Sequence, residues 1–469
     1  MGSHVQSSGD LLPLTALERI GPKGYLRYVF PFELAQDYEI GEVHRILQAG
    51  YEALAKRLPV VGAEAVPDPD SKQAGVLKLQ ALPADDDARR ILLKDLQASG
   101  AFPMSYAELK AKNFPLSAFD GEILTRRSVW PVAGDRLPVS LVQANFVQGG
   151  LILTWCILHT FGDGNSFLTW TKVWAEECRR AQGLPISDPV VLDPAMFADR
   201  ERVMKPSGRN PGRVQDHPEY TILPFTPQGP PPKMLSASHR GQIFYFSKES
   251  LAALKAEAAP ANASDPTDQT WISTNDALSA LLWRTVMAVQ SPLDTLQGDP
   301  VSVFNIAIDG RLRTDPPVHP RTVGCFLEYV AVSAPIRDML SSLKLADLAV
   351  MIRKALLKAD NQFTDDVTAL VEKLEDVDRL VATAFLDVPG YNCVQTSWTN
   401  FELYGLDWGA ALGGAIQAVR SPSVGILNGL QVVLPVLPDG GMEILVGVEE
   451  SCLNRLLHEP LWVKFAKAR

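Results

Sequence analysis

Five cysteines in 469 residues, at 156, 178, 325, 393 and 452, leave no close pair and no metal-ligand spacing. An odd, scattered set of this kind fits a reducing compartment and excludes a disulfide scaffold or a zinc site. No apolar run approaches the roughly 18 residues that a membrane span needs. No charged-then-apolar leader follows the opening Met1-Gly2-Ser3-His4, which reads as an expression remnant. A cytoplasmic location and no membrane partner are the expectations. A basic excess is also missing. The net charge is -10 and the pI about 5.3, which excludes a nucleic-acid groove or an anionic lipid surface as the main partner. A local basic patch for a phosphate-bearing cosubstrate stays allowed. There is no Gly-x-Ser-x-Gly elbow, no P-loop, no Gly-x-Gly-x-x-Gly after a strand and no His-Glu-x-x-His. Those gaps remove the common hydrolase, NTPase, dinucleotide and zinc-peptidase readings, and no metal is expected.

What is present is ordinary globular material, 46% apolar and 21% charged, in a chain long enough for two or three domains. Residues 24–31 alternate as a strand, and 41–57 carry Val43, Ile46, Leu47 and Leu54 at helical spacing. Residues 76–79 read as a further short strand. Residues 137–158 read as a hairpin turned at Gly149-Gly150, and its second strand is apolar enough to be buried on both faces. A helix follows over 166–181. Between 185 and 235 prolines are frequent and periodicity is lost, as in a crossover between domains. A strand near 241–246 and a helix near 248–258 open a second half. Ser273 caps a helix there, with Asp276 in its first turn. Residues 301–309 form a strand, 342–383 are mostly helical, and a hairpin near 430–448 closes the chain. Strands and helices mix in both halves, so the fold class is α/β with mixed sheets. The expected domains are 6–190 and 236–469, joined by 191–235.

The most informative stretch is Leu151–Trp170, LILTWCILHTFGDGNSFLTW. A buried strand ends in His159, and Asp163 follows inside a Gly-Asp-Gly turn. A neutral imidazole there can take a proton from an alcohol near pH 7 and return it to a leaving group, which points to acyl transfer. The bland alternative is a strand-end histidine bonded to backbone. Asp163 has three readings: orienting the imidazole, capping the helix, or pairing with a distant arginine. The flanking Gly162 and Gly164 favour the two structural roles. In Asp309-Gly310-Arg311-Leu312-Arg313, two arginines are either a solvated loop or one arm of a buried interdomain pair. Within Thr396–Gly413, Thr396 and the Trp398 indole can donate to a developing oxyanion, although Trp398 taken alone reads as a core aromatic. Cys156 lies mid-strand and reads as packing rather than as a nucleophile.

Together these residues resemble the BAHD-type acyltransferases, in their fungal trichothecene 3-O-acetyltransferase-like branch. The resemblance rests on Leu14–Glu18, His159–Gly164, Ser273–Leu278 with Leu282-Trp283, Asp309–Arg313 and Tyr404–Gly409, in order along nearly the whole chain. It implies two similar chloramphenicol-acetyltransferase-like domains with a channel between them. An acyl-CoA cosubstrate would enter one face and a small hydroxylated natural product the other, with no permanently bound cofactor. His159 would be the general base. Asp163 and Gly164 would be structural, with Asp163 paired to Arg311 or else Arg313. Thr396 and Trp398 would face the acyl end. Asp407 and Gly409 would hold the turn beneath the CoA channel, and Arg420 and Ser421 would contact CoA. A cleft between two domains of one chain needs no partner, so a monomer is expected. Two departures stand out. Leu158 occupies the place where many relatives have a second histidine, a position that supports the fold. Asp-Trp-Gly-Ala-Ala-Leu-Gly replaces Asp-Phe-Gly-Trp-Gly. Two other readings keep the sequence in view: the same scaffold used for condensation or cyclisation without CoA, and a non-catalytic binder of an apolar small molecule.

Overall fold

The computed structural model describes residues 11, 13–98, 100–230, 232–268, 270–387, 390–422 and 427–469. The expected start of the first domain at residue 6, the Met1–His4 remnant and Pro231 lie outside the described residues. Two mixed sheets organise the chain. The first is built from β1 (Tyr25–Glu33), β2 (Leu92–Asp95), β3 (Ser140–Val147) and β4 (Gly150–Leu158) in the order β1-β4-β3-β2. The hairpin β3–β4 runs antiparallel from Val147↔Gly150 to Ser140↔Ile157, and β1 pairs β4 from Tyr25↔Leu158 onward. Gly149 has φ of +85° in the connecting turn, a conformation a β-carbon would strain. All nine residues of β4 are buried. Both its faces are covered, so it reads as a continuous apolar run instead of an alternating one.

Helices α1 (Ile40–Arg57) and α2 (Gly164–Ala181) pack on this sheet. Their apolar stripes bring Leu47 and Tyr51 against Trp174, and Trp155 of β4 meets Trp174 edge to face at 4.9 Å. The indole N–H of Trp155 is satisfied by the Ser140 hydroxyl at 2.7 Å, which lets a large polar-tipped ring stay inside the core. Leu158, at the position of the missing second histidine, is fully buried in the same core.

The second sheet has seven strands. They are β5 (His239–Phe246), β6 (Val301–Asp309), β7 (Leu327–Pro335), β8 (Cys393–Ser397), β9 (Leu430–Val433), β10 (Met442–Glu449) and β11 (Lys467–Ala468), in the order β7-β6-β8-β9-β10-β5-β11. Helices α3 (Thr274–Gln290) and α4 (Leu345–Lys358) share its core. Ser273 caps α3 in a capping box with Asp276. The 342–383 segment is only partly helical, with α4 followed by the shorter helix Phe363–Val371, a single turn and a short strand, Leu380–Ala382.

The two halves exchange chain. Leu403, Trp408, Leu412 and Val419, all beyond residue 236, pack into the first core. Arg420 continues that sheet outward, its backbone bonded both ways to Val29 of β1 at 2.9 and 3.0 Å. In the other direction, Ala16 and Leu17 pack with Phe326, Val367 and Leu370. No helix among the described residues is long and apolar enough to cross a membrane.

Candidate active site

His159 sits where β4 ends and a single turn, His159–Phe161, begins. Its backbone N–H donates to the Gly24 carbonyl at 2.9 Å, which pins the strand end beside the start of β1. The half-buried side chain lines a cavity of about 590 Å³ that runs between the two sheets. Burial holds the imidazole below its ordinary pKa, against the opposite pull of nearby backbone groups and the Asp163 carboxylate. At neutral pH the ring is therefore a free base with room in front of it. The Cys325 Sγ lies 3.9 Å from Nδ1. Burial pushes that thiol well up, so it is a neutral neighbour and not a nucleophile.

Asp163 carries out both structural roles at once. It is the N-cap of α2, where Oδ1 accepts from the Ser166 amide at 3.0 Å. Its two oxygens also receive the Arg311 guanidinium at 2.6 and 3.1 Å, and Oδ2 accepts the Phe326 amide at 2.8 Å. Desolvation would raise the carboxyl, but the charge and hydrogen bonds of Arg311 outweigh it and hold the group below its ordinary value. Arg311 is fully buried, and its remaining donors reach the Thr322 and Gly324 carbonyls and Asp309. The choice left open in the sequence thus falls to Arg311, not Arg313. Arg311 comes from the turn after β6, so this forked pair ties the histidine's turn to the second sheet.

A second buried pair backs the first. Glu18 takes a fork from Arg200 at 2.9 and 2.8 Å and also accepts the Cys325 amide at 3.3 Å. Segment 322–326 is held between the two pairs. Gly324 has φ of +122°, and a β-carbon there would lie 2.2 Å from Glu18 Oε1 and 2.4 Å from Arg200 Nη1. Gly324→Ala is expected to cost at least ~1–3 kcal/mol from backbone strain alone, read as a lower denaturant midpoint. An unchanged midpoint would show that the segment is not clamped.

The cavity wall brings together His159, Asp163, Gly164, Arg311, Thr396, Trp398, Arg420 and Ser421. Thr396 and Trp398 arrive from β8 and the residue after it; the Trp398 amide bonds the Val433 carbonyl at 2.8 Å, and its ring tilts against Tyr28. Among the described residues neither the Thr396 hydroxyl nor the Trp398 indole N–H is committed to a protein acceptor. Asp407 and Gly409 do not line the cavity. Asp407 pairs with Arg179, and Gln182 bonds the Trp408 carbonyl and the Ala411 amide. Their turn is thereby fastened to the end of α2.

Arg420 departs from the expected CoA contact. All five of its N–H donors are taken, by Glu443 at 2.6 and 2.8 Å and by the carbonyls of Phe114, Val419 and Asn113. A guanidinium saturated by the protein has no donor left for a phosphate. Sequence reasoning gave no role to Cys325 or Arg200. Arg200 meets Glu18 from 182 residues away, and no local pattern announces such a pair.

The chain matches known proteins in sequence and in fold. Residues 25–174 match the trichothecene 3-O-acetyltransferase-like N-terminal domain, and residues 119–460 match the Transferase family. The enoyl-CoA isomerase/hydratase claC of Penicillium crustosum is 26% identical over 454 residues, covering 96% of this chain and 50% of that protein. The chain therefore spans half the length of that relative. The eremophilane O-acetyltransferase prx11 of Penicillium rubens is 26% identical over 489 residues, covering 97% of this chain and 98% of that one. Among solved structures, F. graminearum TRI101 complexed with coenzyme A and deoxynivalenol overlays with a TM-score of 0.83 at 23% identity, covering 97% and 98% of the two chains. With the family match extending over well more than half its residues, the chain belongs to the Transferase family of BAHD-type acyltransferases and carries a trichothecene 3-O-acetyltransferase-like N-terminal domain.

Proposed function

We propose that this protein transfers a short acyl group, acetyl or a near homologue, from its CoA thioester to a hydroxyl of a small secondary metabolite. The observation that carries the reading is His159: an imidazole kept neutral by burial, facing a cavity between two sheets, on a turn locked by Asp163–Arg311. The donor assignment draws on the complex of TRI101 with coenzyme A, and the oxygen acceptor on the named O-acetyltransferase relative.

In this reading both substrates occupy the one cavity, and proximity supplies much of the rate. His159 takes the hydroxyl proton as the acceptor oxygen attacks the thioester carbonyl. The oxyanion is met by the Thr396 hydroxyl and the Trp398 indole N–H, donors uncommitted among the described residues. As the carbon–sulfur bond breaks, the imidazolium returns its proton to the CoA thiolate. No acyl-enzyme forms. Ser421 remains a candidate CoA contact, whereas Arg420 braces the wall. Residues 6–190 and 236–469 act as the two lobes of a monomeric, cytoplasmic enzyme, with 191–235 as the crossover.

The pH profile follows from the direction of the His159 shift. A base must be unprotonated, so the rate should rise with pH through an inflection below the ordinary histidine value near 6.5. Turnover of acetyl-CoA measured against pH checks this. An inflection well above 6.5 would show that His159 is not the neutral, desolvated base described.

A further inference from the structure

Glu328 stands on β7 between Leu327 and Tyr329, both of which line the cavity, but its own carboxyl lies outside that lining and is fully buried. Its Oε2 is 2.6 Å from the Thr364 hydroxyl, and the same hydroxyl is 2.9 Å from the Gly310 carbonyl oxygen. Its Oε1 has no hydrogen-bond partner among the described residues. A hydroxyl carries one proton and a carbonyl can only accept. Both contacts are satisfied together when the proton sits on Glu328, which donates to Thr364, which in turn donates to Gly310. The carboxyl fits against Gly310 so closely that a β-carbon on that residue would lie 2.3 Å from Oε2.

Gly310 opens the turn that carries Arg311. Its amide donates to the Phe326 carbonyl at 2.9 Å. The Phe326 amide in turn bonds Asp163, and its neighbour Cys325 touches the His159 ring. A short, continuous set of contacts thus runs from Glu328 to the imidazole. We propose that Glu328 is a positioning residue: protonated, it anchors through Thr364 the turn that sets Arg311 against Asp163, and its ionisation lets go of that turn and disturbs His159. The consequence for turnover rests on the acyl-transfer reading; the coupling itself does not.

The surroundings fit a carboxyl that changes state at mildly alkaline pH. Burial pushes it up to about 8, and Glu219 adds to that, while Thr364, His217 and Arg313 favour the ionised form. His217 is itself held between Glu219 at 2.8 Å and Asp366 at 3.1 Å, and the Tyr220 phenol faces the same carboxyl. Once ionised, Glu328 would claim the Thr364 proton outright and leave the Gly310 carbonyl without its donor. It would also attract Arg313, whose buried Nε has no hydrogen-bond partner among the described residues and which lies on the same turn as Arg311.

The test uses the protein free of ligand, with infrared difference spectra and imidazole NMR resonances followed against pH. His159→Ala identifies the His159 signal. The wild type should show a protonated-carboxyl band that is lost as pH rises through about 8 and is missing from Glu328→Gln. Its His159 resonance should shift over the same interval, and that shift should vanish in Glu328→Gln. Thr364→Val should keep the band but lose the His159 shift, which separates a mechanical link from the distant field of a charge. No titrating band would overturn the proposal, as would an unchanged His159 shift in Glu328→Gln or Thr364→Val. None of these readouts uses an acyl donor, so a failure of the acyl-transfer reading would appear separately, as turnover that survives His159→Ala.

Discussion

Arg311→Ala should lower the stability of the folded protein by ~3–5 kcal/mol, the scale set by removing one partner of a buried ion pair. The magnitude follows from what is left behind. Asp163 would keep only the Ser166 and Phe326 amides as donors, and its charge would lie buried without a countercharge. The carbonyls of Thr322 and Gly324 would lose the guanidinium as well. Arg311→Lys retains the charge without the fork and should fall between the two, since a point charge cannot replace two parallel hydrogen bonds. Combining Arg311→Met with Asp163→Asn removes both charges and should recover a good part of the loss, because the asparagine still caps α2. Denaturant unfolding of the four proteins measures this directly. An Arg311→Ala midpoint equal to wild type would contradict the buried latch. The pair should also resist acid. Asp163 is held below its ordinary value, so its contribution is full above the usual aspartate value near 3.9 and is lost progressively as pH falls from there toward the lower folded value.

The second large effect concerns chemistry rather than stability. His159→Ala should lower acyl transfer by about 10²–10⁴, the usual contribution of a positioned general base. Its melting temperature should change little, because the side chain is half-buried at a cavity wall. Affinity for CoA should also persist, since a base contributes to the transition state more than to ground-state binding. The fall should appear in kcat at saturating donor, with KM for acyl-CoA nearly unchanged. Retention of full turnover would remove His159 from the role assigned to it.

Much of this site is legible in the chain because its elements are local. The run Leu151–Leu158 is apolar without alternation, and β4 is buried on both faces as such a run requires. His159 and Asp163 are separated by one turn, so the strand, bend and cap can be read from a single stretch. The helix begins at Gly164, slightly before the expected 166, because the cap is Asp163 itself. Long-range pairings are not written in this way. The sequence offers both Arg311 and Arg313, and only the geometry of the turn shows which of them reaches Asp163. The resemblance would set Arg420 against CoA, but its guanidinium donates instead to Glu443, which lies on a different strand. The exchange of residues 403–420 into the first half rests on backbone bonds at Val29 and Pro31, on side-chain bonds to Arg179 and Gln182, and on scattered apolar contacts, with no periodicity to announce it. Asp407 belongs to a recognisable glycine-rich turn, but its partner Arg179 comes from the end of α2.

The most direct test of acyl transfer at His159 combines thermal unfolding with thiol release, on wild type and His159→Ala, in the presence of CoA, acetyl-CoA and longer acyl-CoAs. Ligand at a hundred times its Kd stabilises a protein by ~2.7 kcal/mol, a shift readily seen in a melt. The account predicts that CoA raises the melting temperature of both proteins, while acceptor-dependent thiol release from acetyl-CoA is seen in wild type and lost in His159→Ala. No stabilisation by any thioester, together with turnover that does not depend on His159, would contradict it and turn attention to a carrier-bound acyl donor or to a cyclisation on the same scaffold.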